Sequence, residues 1–287
     1  MSSDHFSMEP LRRMGLSSVE SRTVQSSRAE IYYEVYGEGP AILMIPGAFD
    51  NILHWSLNIP YFVNAGYHVI AMNLRAHFMS RCHDVDSHFK HHIHDIAAVL
   101  DAQGVSRTAI LASSFGGFGA IRFARAHRER TAALVLTGST AGVYSPANYR
   151  NNRDTVAKFD PYFAMGAKPP ATFDDTSKPM AFLFRQLSQL GGQDGFLSCP
   201  FQAVKSMDDE SAWLKPEEMQ DYATPTLIIG GDEDKLLPPG FQRETVTTIP
   251  GARLSDWTAA GHVPFWEDPD RYNKTVSAFL EENGWTA

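Results

Sequence analysis

Short apolar runs alternate with stretches of helical periodicity along most of this chain. Residues 41–45 and, apart from His68 and Asn73, 68–74 run apolar, as strands buried on both faces do; Pro46-Gly47 follows the first and Gly66 precedes the second. Upstream, residues 31–36 are β-branched and aromatic, and Gly37-Glu38-Gly39-Pro40 supplies a tight turn, so two strands open the domain. Within 91–100 the apolar residues Ile93, Ile96, Ala97 and Leu100 recur at helical spacing, and Gly104 stands where a helix is capped. Residues 108–111 predict another strand, 116–126 a helix rich in small residues, and 132–136 the next strand. Residues 226–229 resume the strand pattern, and 268–282 predict a closing helix entered through Pro269. This alternation predicts an α/β fold built on a doubly wound, mostly parallel sheet.

The stretch 143–221 breaks the rhythm. It has proline and glycine punctuation, little strand character, and large apolar residues including Phe163, Phe182, Phe184, Phe196 and Trp213. It reads as a helical cap inserted into a core formed by residues 22–142 and 222–287, with residues 1–21 as a loose N-terminal tail. The cap aromatics read first as its own small core, so none is assigned to substrate.

At 287 residues and 43% hydrophobic composition, the chain can bury one substantial core. A formal net charge of −8 offers no basic face for nucleic acid or an anionic membrane, which leaves a small apolar or weakly polar organic molecule as the expected partner. Cys82 and Cys199 lie far apart and lack metal-ligand spacing, the N-terminal stretch lacks the apolar run of a signal peptide, and no apolar run could span a bilayer. The expectation is a soluble cytoplasmic protein without cofactor or metal, for which a homodimer is allowed.

The candidate chemistry lies at strand ends. Leu111-Ala112-Ser113-Ser114-Phe115-Gly116-Gly117 places a serine between an apolar strand and a small-residue helix, the setting of a nucleophile elbow. So sharp a turn strains its central residue and crowds its flanks, which Ala112, Gly116 and Gly117 keep small. The Phe115 N–H at the helix start is a candidate oxyanion donor; the second is expected from the loop Pro46-Gly47-Ala48-Phe49, with Ala48 preferred over Phe49. Beyond the strand ending in Gly230-Gly231 come Asp232, Glu233 and Asp234, and farther on stands His262 in Ala260-Gly261-His262-Val263-Pro264. The order Ser, Asp, His suits groups carried on loops at the carboxyl ends of successive strands. Ser114 is read as nucleophile, His262 as general base and Asp234 as the acid that orients it, with Asp232 as runner-up and Glu233 as a solvated turn residue. His88, His91, His92 and His94 near Asp95 are read as a solvated helix face rather than a metal site, because no complete ligand set has a known spacing.

These residues resemble the α/β-hydrolase superfamily from about residue 31 to residue 280. The resemblance is carried by PGAF after the third strand, NLRAHFMS after the fourth, ASSFGG at the elbow, GGDEDKLLPP, and AGHVPFWEDPDRY at the histidine. Small bacterial esterases, enol-lactone hydrolases, carbon–carbon bond hydrolases and haloperoxidase-like proteins are similar; dehalogenases and epoxide hydrolases use an aspartate nucleophile where this chain has Ser114. The chain departs from the usual pattern at Pro46 and in the loop after the fourth strand, where Ala76 and Phe78 replace two glycines. The resemblance implies hydrolysis of a small carboxylic ester or lactone through an acyl-enzyme. Two alternatives remain: cleavage of a carbon–carbon bond in a keto-acid, which asks Arg150, Arg153 or Arg185 to face the pocket, and ligand binding without chemistry.

Overall fold

The computed structural model describes residues 19–164, 183–184, 186–187 and 198–287. The described chain opens with an antiparallel hairpin of β1 (Val19–Ser26) and β2 (Ala29–Tyr36), joined by Ser27 and Arg28, both at positive φ, as in a type I′ turn. There follow β3 (Ala41–Ile45), α1 (Ile59–Asn64), β4 (His68–Met72) and the short β5 (Arg81–Cys82). Next come α2 (His92–Ala102), β6 (Thr108–Ser113), α3 (Gly116–Ala126) and β7 (Thr131–Thr137). After α4 (Pro146–Ala164) and α5 (Ser198–Lys205) the chain returns through β8 (Thr226–Gly231), α6 (Pro239–Thr248) and β9 (Arg253–Trp257) to α7 (Pro264–Glu267) and α8 (Pro269–Glu282).

The strands form one sheet in the order β1-β2-β4-β3-β6-β7-β8-β9, with β5 paired to β2. All pairings from β4 to β9 are parallel, and those of β1, β2 and β5 are antiparallel. The winding reverses at β3, since the chain steps to β4 on one side and then to β6 on the other. This reversal opens the crevice in which such sheets place their sites.

Successive strand residues point to opposite faces, and both faces are covered, which is why the central strands read as unbroken apolar runs. Leu43, Ile45, Ile110 and Leu134 enter a core with α2 and α3. Ile42, Met44, Leu111 and Val135 enter another with Trp55, Phe265 and α8. Burying one such side chain fully contributes about 1.5–3 kcal/mol.

The structure departs from the sequence pattern at both edges of the sheet. The first strand starts at Val19, inside the expected tail, and the rest of that tail, residues 1–18, lies outside the described residues. The sequence pattern does not predict β9: among the described residues it pairs only with β8, and Arg-Leu-Ser-Asp-Trp buries Trp257 alone, so no apolar run marks it. Within 143–221 the described residues form α4, α5 and short 3-10 turns, tied by one bridge between Val143 and Leu214. Phe184 and Trp213 are buried there, whereas Phe182, Arg185 and Phe196 fall outside the described residues. Among the described residues no helix is long and apolar enough to cross a membrane.

Candidate active site

Ser114 sits at the junction of β6 and α3 with φ of +46°, a conformation that costs a non-glycine residue roughly 1–2 kcal/mol. Its backbone is pinned on both sides: its N–H donates to Thr137 O at 2.8 Å, and its carbonyl accepts from Ser139 Oγ at 2.6 Å. Gly116 allows the elbow to approach the loop after β3, since a Cβ there would lie 2.5 Å from Pro46 O. Phe115 occupies the N-cap position of α3 with no side-chain cap, leaving the helix start to other acceptors.

Asp234 lies in the turn after β8 and is 3% exposed, while Asp232 and Glu233 are exposed. The two oxygens of Asp234 divide their work. Oδ1 accepts from Leu236 N at 2.9 Å and Leu237 N at 2.8 Å, which fixes the carboxylate; Oδ2 stands 2.8 Å from His262 Nδ1. His262 itself is gripped by its backbone, because the Glu267 carboxylate accepts from Gly261 N at 2.7 Å and Val263 N at 3.2 Å. Gly138, at φ +56°, lets the imidazole lie against the loop after β7: a Cβ there would be 3.0 Å from His262 Nδ1 and Cε1. Burial works against charge on this ring, but the Asp234 charge and hydrogen bond, aided by Asp50 and Glu267, outweigh it and hold the imidazole above its ordinary range.

Ser114, Phe115, Ala48, Phe49 and His262 line one cavity. One wall is apolar and includes Phe118, Leu237 and Val263 from the core with Phe159, Phe184 and Met207 from the inserted segment. Another carries Thr140, Asn151, Asn152 and Thr155. The cavity also holds Asp50, which the sequence reading did not single out; an acid four residues past Pro46, in the loop at a strand's carboxyl end, was the available signal. Arg150 and Arg153 are exposed and do not line the cavity.

The histidine-rich segment before and within α2 is not one solvated face. His94 is exposed, but His92 is buried against Phe115, and burial pushes its imidazole well below the ordinary range. Asp95 is buried and takes Arg75 in two bonds, Nε to Oδ2 at 2.8 Å and Nη2 to Oδ1 at 2.6 Å. Arg75, the partner that draws Asp95 inward, comes from the distant loop after β4, which spacing within the helix does not reveal. Among the described residues no group of three or more His, Cys, Asp or Glu could hold a metal ion. In that same loop Ala76 and Phe78 keep glycine-like backbone at φ +63° and +50°. Phe78 packs edge-on against Tyr32, and the buried ring of His77 faces Phe49 and Phe115.

This fold and this clustering at strand ends define a class. The chain belongs to the alpha/beta hydrolase fold family, which it matches over residues 40–269. It is 26% identical over 273 residues to a 2-hydroxy-6-oxononadienedioate/2-hydroxy-6-oxononatrienedioate hydrolase of Comamonas testosteroni, covering 88% of this chain and 92% of that one. Its fold is similar to a thermophilic esterase of Thermogutta terrifontis, with TM-score 0.73 and 21% identity over 92% of this chain and 99% of that one. It is likewise similar to the enol-lactonase of Burkholderia xenovorans, with TM-score 0.73 and 20% identity over 91% of this chain and 100% of the other.

Proposed function

We propose that this chain hydrolyses a small carboxylic ester or lactone through Ser114, His262 and Asp234. The observation that carries this reading is the 2.8 Å pairing of Asp234 Oδ2 with His262 Nδ1 at the wall of the cavity that Ser114 also lines. Ser114 Oγ attacks the acyl carbon while His262 Nε2 takes its proton; Asp234 fixes the tautomer and supports the imidazolium. The oxygen that gains charge is held by the N–H groups of Phe115 and Ala48, the first at the positive end of α3. The C–O bond then breaks, the leaving oxygen takes the proton from His262, and an acyl-enzyme remains. Water attacks that ester with His262 again as base, releasing the acid and restoring Ser114. With a lactone the leaving oxygen stays tethered and the product is a hydroxy acid. The segment 143–221 acts as a cap whose apolar side chains seat the acyl or alcohol portion.

A panel of p-nitrophenyl esters of graded acyl length and simple lactones tests this. Turnover by the wild type that Ser114→Ala abolishes, with the fold retained, is the expected result. An unchanged rate in Ser114→Ala overturns it, and tight binding of a small molecule without turnover by either protein favours a receptor.

A second reading, carbon–carbon bond hydrolysis of a keto-acid, is favoured by the name of the Comamonas relative. It calls for a cation to hold a carboxylate, and neither Arg150 nor Arg153 supplies one; Arg185 lies outside the described residues. Turnover of a vinylogous keto-acid in preference to every ester and lactone would establish it.

A further inference from the structure

Asp50 stands across a single glycine from the serine of the elbow. A Cβ built on Gly47 would lie 3.0 Å from Asp50 Oδ2 and 3.1 Å from Ser114 Cβ, so carboxylate and nucleophile flank one backbone position. The loop that holds Asp50 closes through its own N–H, which donates to Gly47 O at 3.4 Å. The side chain is 14% exposed, and its other oxygen, Oδ1, lies 3.7 Å from Nδ1 of the buried His54. This carboxylate is therefore built into the cavity wall rather than waving in solvent.

The hydrogen-bond directions around the cavity point the same way. Asn152 directs its amide nitrogen at Thr140 Oγ1, 3.1 Å away, and at Asn148 O, 3.0 Å away, which leaves its carbonyl oxygen as the group it can offer. Ser139 gives its hydroxyl proton to Ser114 O at 2.6 Å and accepts from Ala141 N at 3.0 Å. Asn151 directs its amide at Leu236 O, 3.0 Å away. Among the described lining residues there is neither lysine nor arginine. Beside the elbow the wall thus presents the Asp50 carboxylate and the Asn152 carbonyl as acceptors, with His262 as the basic side chain among the described lining residues, and a carboxylate so placed attracts hydroxyl donors and repels anions.

From this we infer that Asp50 determines specificity: it makes the cavity select uncharged, hydroxyl-bearing substrates and reject those that carry a carboxylate near the scissile bond. As a statement about turnover this rests on the ester or lactone reading above; as a statement about binding it stands apart from it.

The test uses the full chain carrying Ser114→Ala, so that binding is read without reaction, and two probes of matched shape, 4-phenyl-1-butanol and 4-phenylbutyrate. Calorimetry should show the alcohol bound at least about tenfold more tightly than the carboxylate. Adding Asp50→Asn should shrink that ratio to about threefold or less, mainly through tighter carboxylate binding, while Asp50→Glu should keep the discrimination. The glutamate variant also controls for damage to the loop, and thermal melting checks that each variant folds. A ratio unmoved by Asp50→Asn, a preference for the carboxylate with Asp50 intact, or no binding of either probe at millimolar concentration overturns the inference. Inert esters and lactones with intact Asp50-dependent discrimination would remove the proposed reaction and keep the selectivity; turnover without that discrimination would do the reverse.

Discussion

Asp234 Oδ2 stands 2.8 Å from His262 Nδ1, while Oδ1 of the same carboxylate is occupied by the backbone N–H groups of Leu236 and Leu237. One acid both fixes its own turn and orients the imidazole. Asp234→Asn preserves the shape and removes the charge, so kcat should fall by about 10⁴-fold if the tautomer is lost as expected. The imidazole should also change its titration: burial remains and the main opposing charge is gone, so His262 should titrate below its ordinary range instead of above it. Histidine NMR on both proteins reads this directly, and an unmoved titration would contradict the assignment.

The raised affinity of His262 for a proton links activity and stability to pH with opposite signs. The proposed mechanism needs the neutral ring, so kcat/KM should rise with pH through a midpoint above 6.5, the ordinary value. Stability behaves otherwise. Because the folded state binds the proton more tightly than the unfolded chain, the contribution of this pair is fully present below 6.5 and is lost as pH rises through the folded midpoint. The loss in Tm caused by His262→Gln should therefore be larger near about pH 6 than near about pH 9. A difference independent of pH would mean that the charge on the ring does not stabilise the fold.

Gly138 tests how closely the loop after β7 is fitted to the histidine. A Cβ there would sit 2.7 Å from His262 O and 3.0 Å from two ring atoms, and the backbone is at φ +56°. Gly138→Ala should cost about 1–3 kcal/mol of stability and displace the ring, lowering kcat by about tenfold or more with a smaller change in KM. Wild-type kcat in a stably folded Gly138→Ala protein would show that the ring tolerates displacement.

What could be read in the sequence follows from where burial is two-sided. Strands β3, β4, β6, β7 and β8 carry apolar side chains to both faces, so they announce themselves; β9 lies at the edge and does not. The sharp turn at Ser114 was legible because a strand, a helix and small flanks are local properties. The choice of Asp234 over Asp232 had a local basis too, its place beyond the strand end, and in the structure it alone of the three acids is buried. Asp50 and Asp95 were not legible as they stand. Asp50 gains its place from the approach of the elbow across Gly47, and Asp95 gains its burial from Arg75, both relationships between loops that only the folded sheet brings together. Glu267, which holds the amides on either side of His262, was legible only as part of the resemblance, inside AGHVPFWEDPDRY.

The loop after β4 holds Ala76 and Phe78 at positive φ, a backbone that glycine adopts without strain. Ala76 is buried and at φ +63°, between Arg75, which is locked to Asp95, and His77, whose Nδ1 lies 2.8 Å from Arg75 O. The loop cannot relax to negative φ without breaking these contacts, so the strain of about 1–2 kcal/mol stays in the folded state. Ala76→Gly removes the strain, loses a buried methyl worth about 0.8 kcal/mol, and loosens the unfolded chain. These terms nearly cancel, so its stability should lie within about 1 kcal/mol of the wild type. Ala76→Val adds β-branching at positive φ in a closed space, where a branched side chain is a steric outlier, and should lose about 2 kcal/mol or more. Denaturant midpoints of the two variants decide it: a valine protein as stable as the glycine protein would mean that this loop can change its backbone, and that His77 is free to move relative to Phe49 and Phe115.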